Sequence, residues 1–141
     1  MVDISNACLS TLAGSAPEPH VDLDGYDVEV VDDCASVTHA YGGGVPSGLQ
    51  TVDISDPENP TNLSSCGVTF DDAVAVSVRR KYTYVAAETA GVQIFNISIP
   101  DSPALIATVD TPDSTNDVMV FGDYPYAAEG NTGLPLIDLK H

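Results

Sequence analysis

The chain has 141 residues and a formal charge of −17, from 21 acidic against 4 basic side chains. That length allows one domain with a modest core, and 43% hydrophobic residues exclude a disordered acidic tail. A pI near 4.1 excludes a positive footprint for nucleic acid or an anionic membrane surface.

In chain order, the first element is the alternating tract Val2-Asp3-Ile4-Ser5, with neither the basic nor the apolar region of a signal peptide. In His20-Val21-Asp22-Leu23-Asp24-Gly25, alternation puts the Asp22 and Asp24 carboxylates on one side of an extended loop. Gly25 permits the tight turn that calcium loops need. The third ligand and closing Glu of a full calcium loop are missing, so a solvated insertion is the competing reading. Strand-like Val28-Glu29-Val30 follows, then Gly42-Gly43-Gly44, which no Lys or helix start follows and which reads as a flexible turn. Gly48 leads into Val52-Asp53-Ile54-Ser55, and Asp56-Pro57 opens a turn.

Later tracts repeat earlier ones. Val52-Asp53-Ile54-Ser55 recurs as Phe95-Asn96-Ile97-Ser98 and Ile137-Asp138-Leu139-Lys140, and it stands unchanged at Val2-Asp3-Ile4-Ser5. The spacings are 50, 43 and 42 residues, and Gly48, Gly91 and Gly133 each precede a full copy by four positions. Val28-Glu29-Val30 is echoed by Val74-Ala75-Val76 and Val118-Met119-Val120, and Tyr82 to Glu88 by Tyr124 to Glu129. Leu105 to Val109 is a strand after a Pro-rich turn. Alternating runs rich in Val, Ile, Thr and Tyr between Gly, Pro and Asp turns predict strands, and no 3.6-residue stripe predicts helix. Four strands per unit of about 42 residues are the mark of a β-propeller blade.

These residues resemble the LVIVD-repeat β-propellers. The resemblance rests on Tyr84-Val85-Ala86 through Gly91-Val92-Gln93-Ile94, and on Gly48-Leu49-Gln50-Thr51-Val52-Asp53-Ile54-Ser55-Asp56-Pro57-Glu58-Asn59-Pro60. It covers almost the whole chain. The first unit departs most, with about seven extra residues and no Tyr-Val-Ala triplet. The resemblance implies a propeller scaffold of surface or secreted type, with no shared catalytic set.

The expected architecture is all-β: a single partial propeller domain over 1–141, with blades of four antiparallel strands in a three-blade arc. The expected divisions are an orphan outer strand at 1–5, then blades at 6–55, 56–98 and 99–141. Closed propellers need about four to eight blades, so an arc of three exposes apolar end faces. Two copies closing a ring, a polymer of arcs, or further blades of a longer chain would each cover them. Val2 and Ile4 belong to the surplus strand. Pro135 stands where other copies have Gln50 and Gln93, and proline removes a ladder donor and suits an edge. Strand exchange between copies follows as an expectation. Arg79-Arg80-Lys81, three of the four basic residues, would attract another acidic copy.

Candidate chemistry is sparse. Cys8, Cys34 and Cys66 form no C-x-x-C pair. Blade alignment puts Cys8 and Cys34 on connections at one face, which makes them the candidate disulfide and points to an oxidising setting; three free thiols are the alternative. Cys66 reads as a buried thiol. Nothing in sequence joins His20 to His39. No G-x-S-x-G is present, and the neighbours Asp32-Asp33 and Asp71-Asp72 diverge from one another, so no enzyme is expected. Asn62-Leu63-Ser64 fits the glycosylation pattern in or beside a turn, whereas Asn96 falls inside a strand.

The expected function is a non-enzymatic, extracellular or cell-surface module for protein interaction or self-assembly. Its partners would be copies of itself or further blades, with no nucleic acid and no membrane insertion. No cofactor is expected beyond possible calcium. Two other readings stand beside it: a calcium-stabilised adhesion module, and a hydrolase completed only in a closed ring.

Overall fold

A computed structural model of the protein describes residues 25–39, 47–67, 72–131 and 133–134. Ten strands appear there: β1 (Gly25–Val31), β2 (Cys34–His39), β3 (Gly48–Asp53), β4 (Thr61–Gly67), β5 (Ala75–Arg79), β6 (Tyr82–Ala86), β7 (Val92–Asn96), β8 (Ala104–Val109), β9 (Thr115–Phe121) and β10 (Tyr124–Glu129). The described residues contain no helix. They form two four-stranded antiparallel sheets, β1-β2-β3-β4 and β5-β6-β7-β8, and a third sheet pairing β9 with β10. These are the propeller-like blades expected from the repeat, arranged as an arc that does not close.

Local chemistry explains why the units recur. Each opening hairpin turns on two residues, Asp32-Asp33, Arg80-Lys81 and Gly122-Asp123, and the first is left-handed in all three (φ 54, 58 and 64). Glycine takes that conformation freely; for Arg80 it costs about 1 kcal/mol. After the third strand, Asp53 and Asn96 act as caps. Ser55 N donates to Asp53 Oδ1 at 2.8 Å, and Ser98 N to Asn96 Oδ1 at 2.9 Å. The next residue extends the ladder back to the hairpin turn: Ile54 N donates to Asp33 O and Ile97 N to Lys81 O, at 2.8 and 2.7 Å. The recurrent Asp/Asn-Ile-Ser is thus a turn device. A β-bulge also recurs, at Thr51/Val52 and at Ile94/Phe95.

The hairpin turns fix how the units align. Val28 and Val30 are equivalent to Val76 and Val78 and to Val118 and Val120, two residues away from the alignment through Val74-Ala75-Val76. The strand grouping expected from sequence is also corrected. The tract after the Pro-rich turn closes its own sheet: β4 pairs with β3 and β8 with β7. The sheets therefore run one strand out of phase with divisions at 55/56 and 98/99, and the tract at Val52 is third in its sheet instead of outermost. The physical reason is the tight turn at Asp56, where Asn59 N donates to Asp56 O at 3.1 Å and Glu58 N to Asp56 Oδ1 at 3.1 Å, laying β4 directly beside β3. The surplus tract with Val2 and Ile4, and Pro135, lie outside the described residues.

The core lies between sheets. Leu49, Ala73, Val76, Val78, Val85 and Phe95 fill the space between the first and second. Ala75, Tyr84, Ala86, Val92 and Ile94 pack with Val118 and Ala127 between the second and third. Strands β5, β6 and β7 of the second sheet are therefore buried on both faces, while β8 is largely exposed and β1 alternates between exposed and half-buried residues.

Candidate functional site

The strands β1, β5 and β9 each open a sheet, and they pack in series: β1 against β5, and β5 against β9. In the two-residue hairpins, residues 28 and 30 and their equivalents point their N–H groups away from the partner strand. Such edge donors need acceptors, and neighbouring side chains supply them. Asp27 Oδ2 accepts from Val76 N at 3.0 Å, and Glu29 Oε2 from Val78 N at 2.7 Å. Across the next junction, Ser77 Oγ accepts from Val120 N at 3.1 Å. Asp27 Oδ1 also holds its own Val28 N at 2.9 Å, and Asp117 Oδ1 holds Val118 N at 2.8 Å. Sequence reasoning missed this set. Its signal was the acidic alternation Asp27-Val28-Glu29-Val30, which sets two carboxylates on one face of β1.

The same positions are covered or open according to place in the arc. Val28 and Val30 on β1 are 56% and 52% exposed, whereas Val76 and Val78 on β5 are 5% and 8% exposed. On the third sheet Met119 and Phe121 are exposed at 65% and 76%. A hollow of about 220 Å³ opens there, lined by Asp117, Met119, Tyr126, Ala128 and Leu134. Tyr84 and Ala86, the equivalents of Tyr126 and Ala128 on the second sheet, are buried under the third.

A larger cleft of about 360 Å³ lies between the first and second sheets at their hairpin ends, where Asp32, Asp33, Cys34 and Asp53 meet Arg80. Burial pushes the Cys34 thiol above its ordinary range; the backbone at Val52 opposes this and the Asp53 charge adds to it. The thiol is thus protonated at neutral pH and a poor nucleophile. Alkylation of Cys34 by iodoacetamide, followed by peptide mass spectrometry, is expected to be slow at pH 7.5 and to reach ordinary thiol rates on denaturation.

Three turn carboxylates, Asp56 exposed and Asp53 and Asp113 half-buried, sit below their usual range. Asp53 is held by the Ser55 backbone and hydroxyl, Asp56 by the Asn59 amide and Glu58 backbone, and Asp113 by the Ser114 and Asn131 backbones. Asp113 joins two loops, accepting from Ser114 N at 2.8 Å and Asn131 N at 2.7 Å. Lowered folded values mean that this stability is fully present above the ordinary carboxylate range and is lost as pH falls through the folded values, below about 4. Thermal melts from pH 7 to 2.5 should show that acid limb, and Asp113→Asn should make it shallower.

The basic tripeptide is divided. Arg79 Nε donates to Gly122 O at 3.1 Å and ties the second sheet to the third. Arg80 lines the cleft, and Lys81 Nζ stands 5.3 Å from the centroid of the Tyr82 ring. Arg80 and Cys34 line the same cleft. Asn62 is the second residue of β4, and its Oδ1 accepts from Gln50 Nε2 at 2.5 Å. Asn96 ends β7 with its carboxamide committed to Ser98. His39 is buried at the far end of β2 from Cys34. Asp22, Asp24 and Cys8 lie outside the described residues; Cys34 has no disulfide partner among the described residues. Among those residues, no group of three or more His, Cys, Asp or Glu is placed to hold a metal ion, and no helix is long and apolar enough to cross a membrane.

Serially packed antiparallel sheets, with inner strands capping one another, define a propeller-type repeat protein. The LVIVD repeat matches at residues 39–68, 71–111 and 112–139, and the chain belongs to the LVIVD repeat family. The second match spans β5 to β8, so the family's unit has the phase of the sheets. No curated protein matches the chain.

Proposed function

We propose that this chain is a non-enzymatic interaction module that docks further β-blades on the open faces of its first and third sheets. One observation carries the reading: Val28 and Val30 stand exposed where their equivalents Val76 and Val78 are buried by the preceding sheet. The hollow at Met119 and Tyr126 is the complementary feature at the other end. Covering apolar faces of this kind stabilises by roughly 25 cal/mol per Å². An extracellular or cell-surface setting accords with the family resemblance and the strongly acidic surface, which favours solubility.

The test is a full chain extended after His141 by a copy of its own residues 57–98, which continues the repeat in phase. The added blade should cover the third sheet and protect Met119 from peroxide oxidation, read by mass spectrometry. Met119 oxidising as fast as in the parent chain would overturn the reading.

A further inference from the structure

The edge donors of the inner strands follow one rule at both junctions. Each first N–H takes one carboxylate, either from the residue before it or from the preceding sheet. Val118 follows Asp117 and is held by it, and the preceding sheet offers only Ala75 at that position. Val76 follows Ala75 and is held by Asp27 of the preceding sheet. Asp27 serves both directions, Oδ1 to its own strand and Oδ2 forward. Asp117 occupies the Asp27 position, with Oδ1 holding Val118 in the same way. It is exposed on the open face, and among the described residues its Oδ2 accepts no hydrogen bond.

Building on the docking function proposed above, we infer that Asp117 Oδ2 is the docking acceptor of the third sheet and selects the blade that docks. The selected inner strand carries a small uncharged residue followed by Val-x-Val, as Ala75-Val76-Ser77-Val78 does. Its first N–H donates to Asp117. Its first valine enters the hollow between Met119, Tyr126 and Ala128, as Val118 packs on Ala75, Tyr84 and Ala86. A second copy of this chain matches in shape, since β1 also presents two exposed valines. It fails in charge: Asp27 already holds the Val28 N–H, and Asp117 would bring a second carboxylate to the same donor. Like charges in one site repel, and one must protonate for both to stay. The partner is therefore a blade with an uncharged residue at that position, not this chain's own first blade.

The experiment uses the extended chain above, whose added blade supplies Ala-Val-Ser-Val. Two variants accompany it: Asp117→Asn, which keeps an oxygen for Val118 N but replaces the forward oxygen by NH₂, and a version with the added copy's Ala75→Asp. Hydrogen exchange is read at the added copy of Val76. Protection there is expected to fall by about tenfold or more in Asp117→Asn, the weight of one charge-assisted hydrogen bond; in the Ala75→Asp version, whose own carboxylate holds that N–H, repulsion from Asp117 is expected to unshield Met119. Equal protection in all three, with Met119 still shielded, would overturn Asp117 as selector and leave the docking function standing. Met119 unshielded in all three would overturn the docking function itself. Sedimentation of the unextended chain should show no dimer at neutral pH. A dimer lost in Asp117→Asn would make a second copy the occupant and overturn the selection.

Discussion

Truncating Phe95 to alanine should lower the unfolding free energy by about 3–5 kcal/mol, a large part of the roughly 5–15 kcal/mol of an ordinary domain. Phe95 is 2% exposed and is the largest fully buried side chain described. It stands on β7 at a β-bulge and packs with Leu49, Val78 and Val85 in the core between the first and second sheets. Its equivalent in the first sheet is the smaller Val52, so no neighbour on the repeat pattern can refill the space. The loss combines the transfer term with a cavity that the surrounding sheets cannot collapse. Urea denaturation reads it directly; a loss below about 1 kcal/mol would mean that this junction is not the main core.

Gly91→Ala should cost about 2–4 kcal/mol, from two separate causes. Gly91 has φ 76, and a Cβ there would lie 2.2 Å from Val109 O and 3.3 Å from Thr111 N. Both neighbours are backbone atoms of the adjoining strand end and cannot swing aside. Gly122→Ala is the control. Its φ is 64 with nothing within 4 Å of the new Cβ, so only the conformational cost of about 1 kcal/mol remains. Equal losses in the two variants would show that close approach to Val109 plays no part.

Much of the fold was legible. Alternating Val, Ile and Tyr runs between Asp, Gly and Pro turns announced an all-β chain, as the ten strands of the described residues bear out, and the repeat announced their kinship. The phase was not legible, because a repeat says which strands correspond and not where one sheet stops. That boundary was decided by the turn at Asp56, a local geometry that folds β4 back instead of sending it onward. Register slipped for a related reason. Val74, Val76 and Val78 alternate without a break, so a shift by two residues preserves every face, and only the left-handed turn at Arg80 fixes it. The docking set was hidden because Asp27 and Asp117 look like solvated acids among sixteen aspartates. Their distinction is position on an inner edge, which appears only when strands of different sheets are placed together.

The alternation of Asp27, Ala75 and Asp117 along the arc limits how such an array can lengthen. Tandem duplication of the first unit would set two carboxylates on one N–H, and duplication of the second would leave an N–H with none. Only insertion of an acidic unit together with a neutral one preserves a single acceptor at every junction. An array under this rule gains repeats in pairs, and gene duplication of one repeat at a time begins with a penalty.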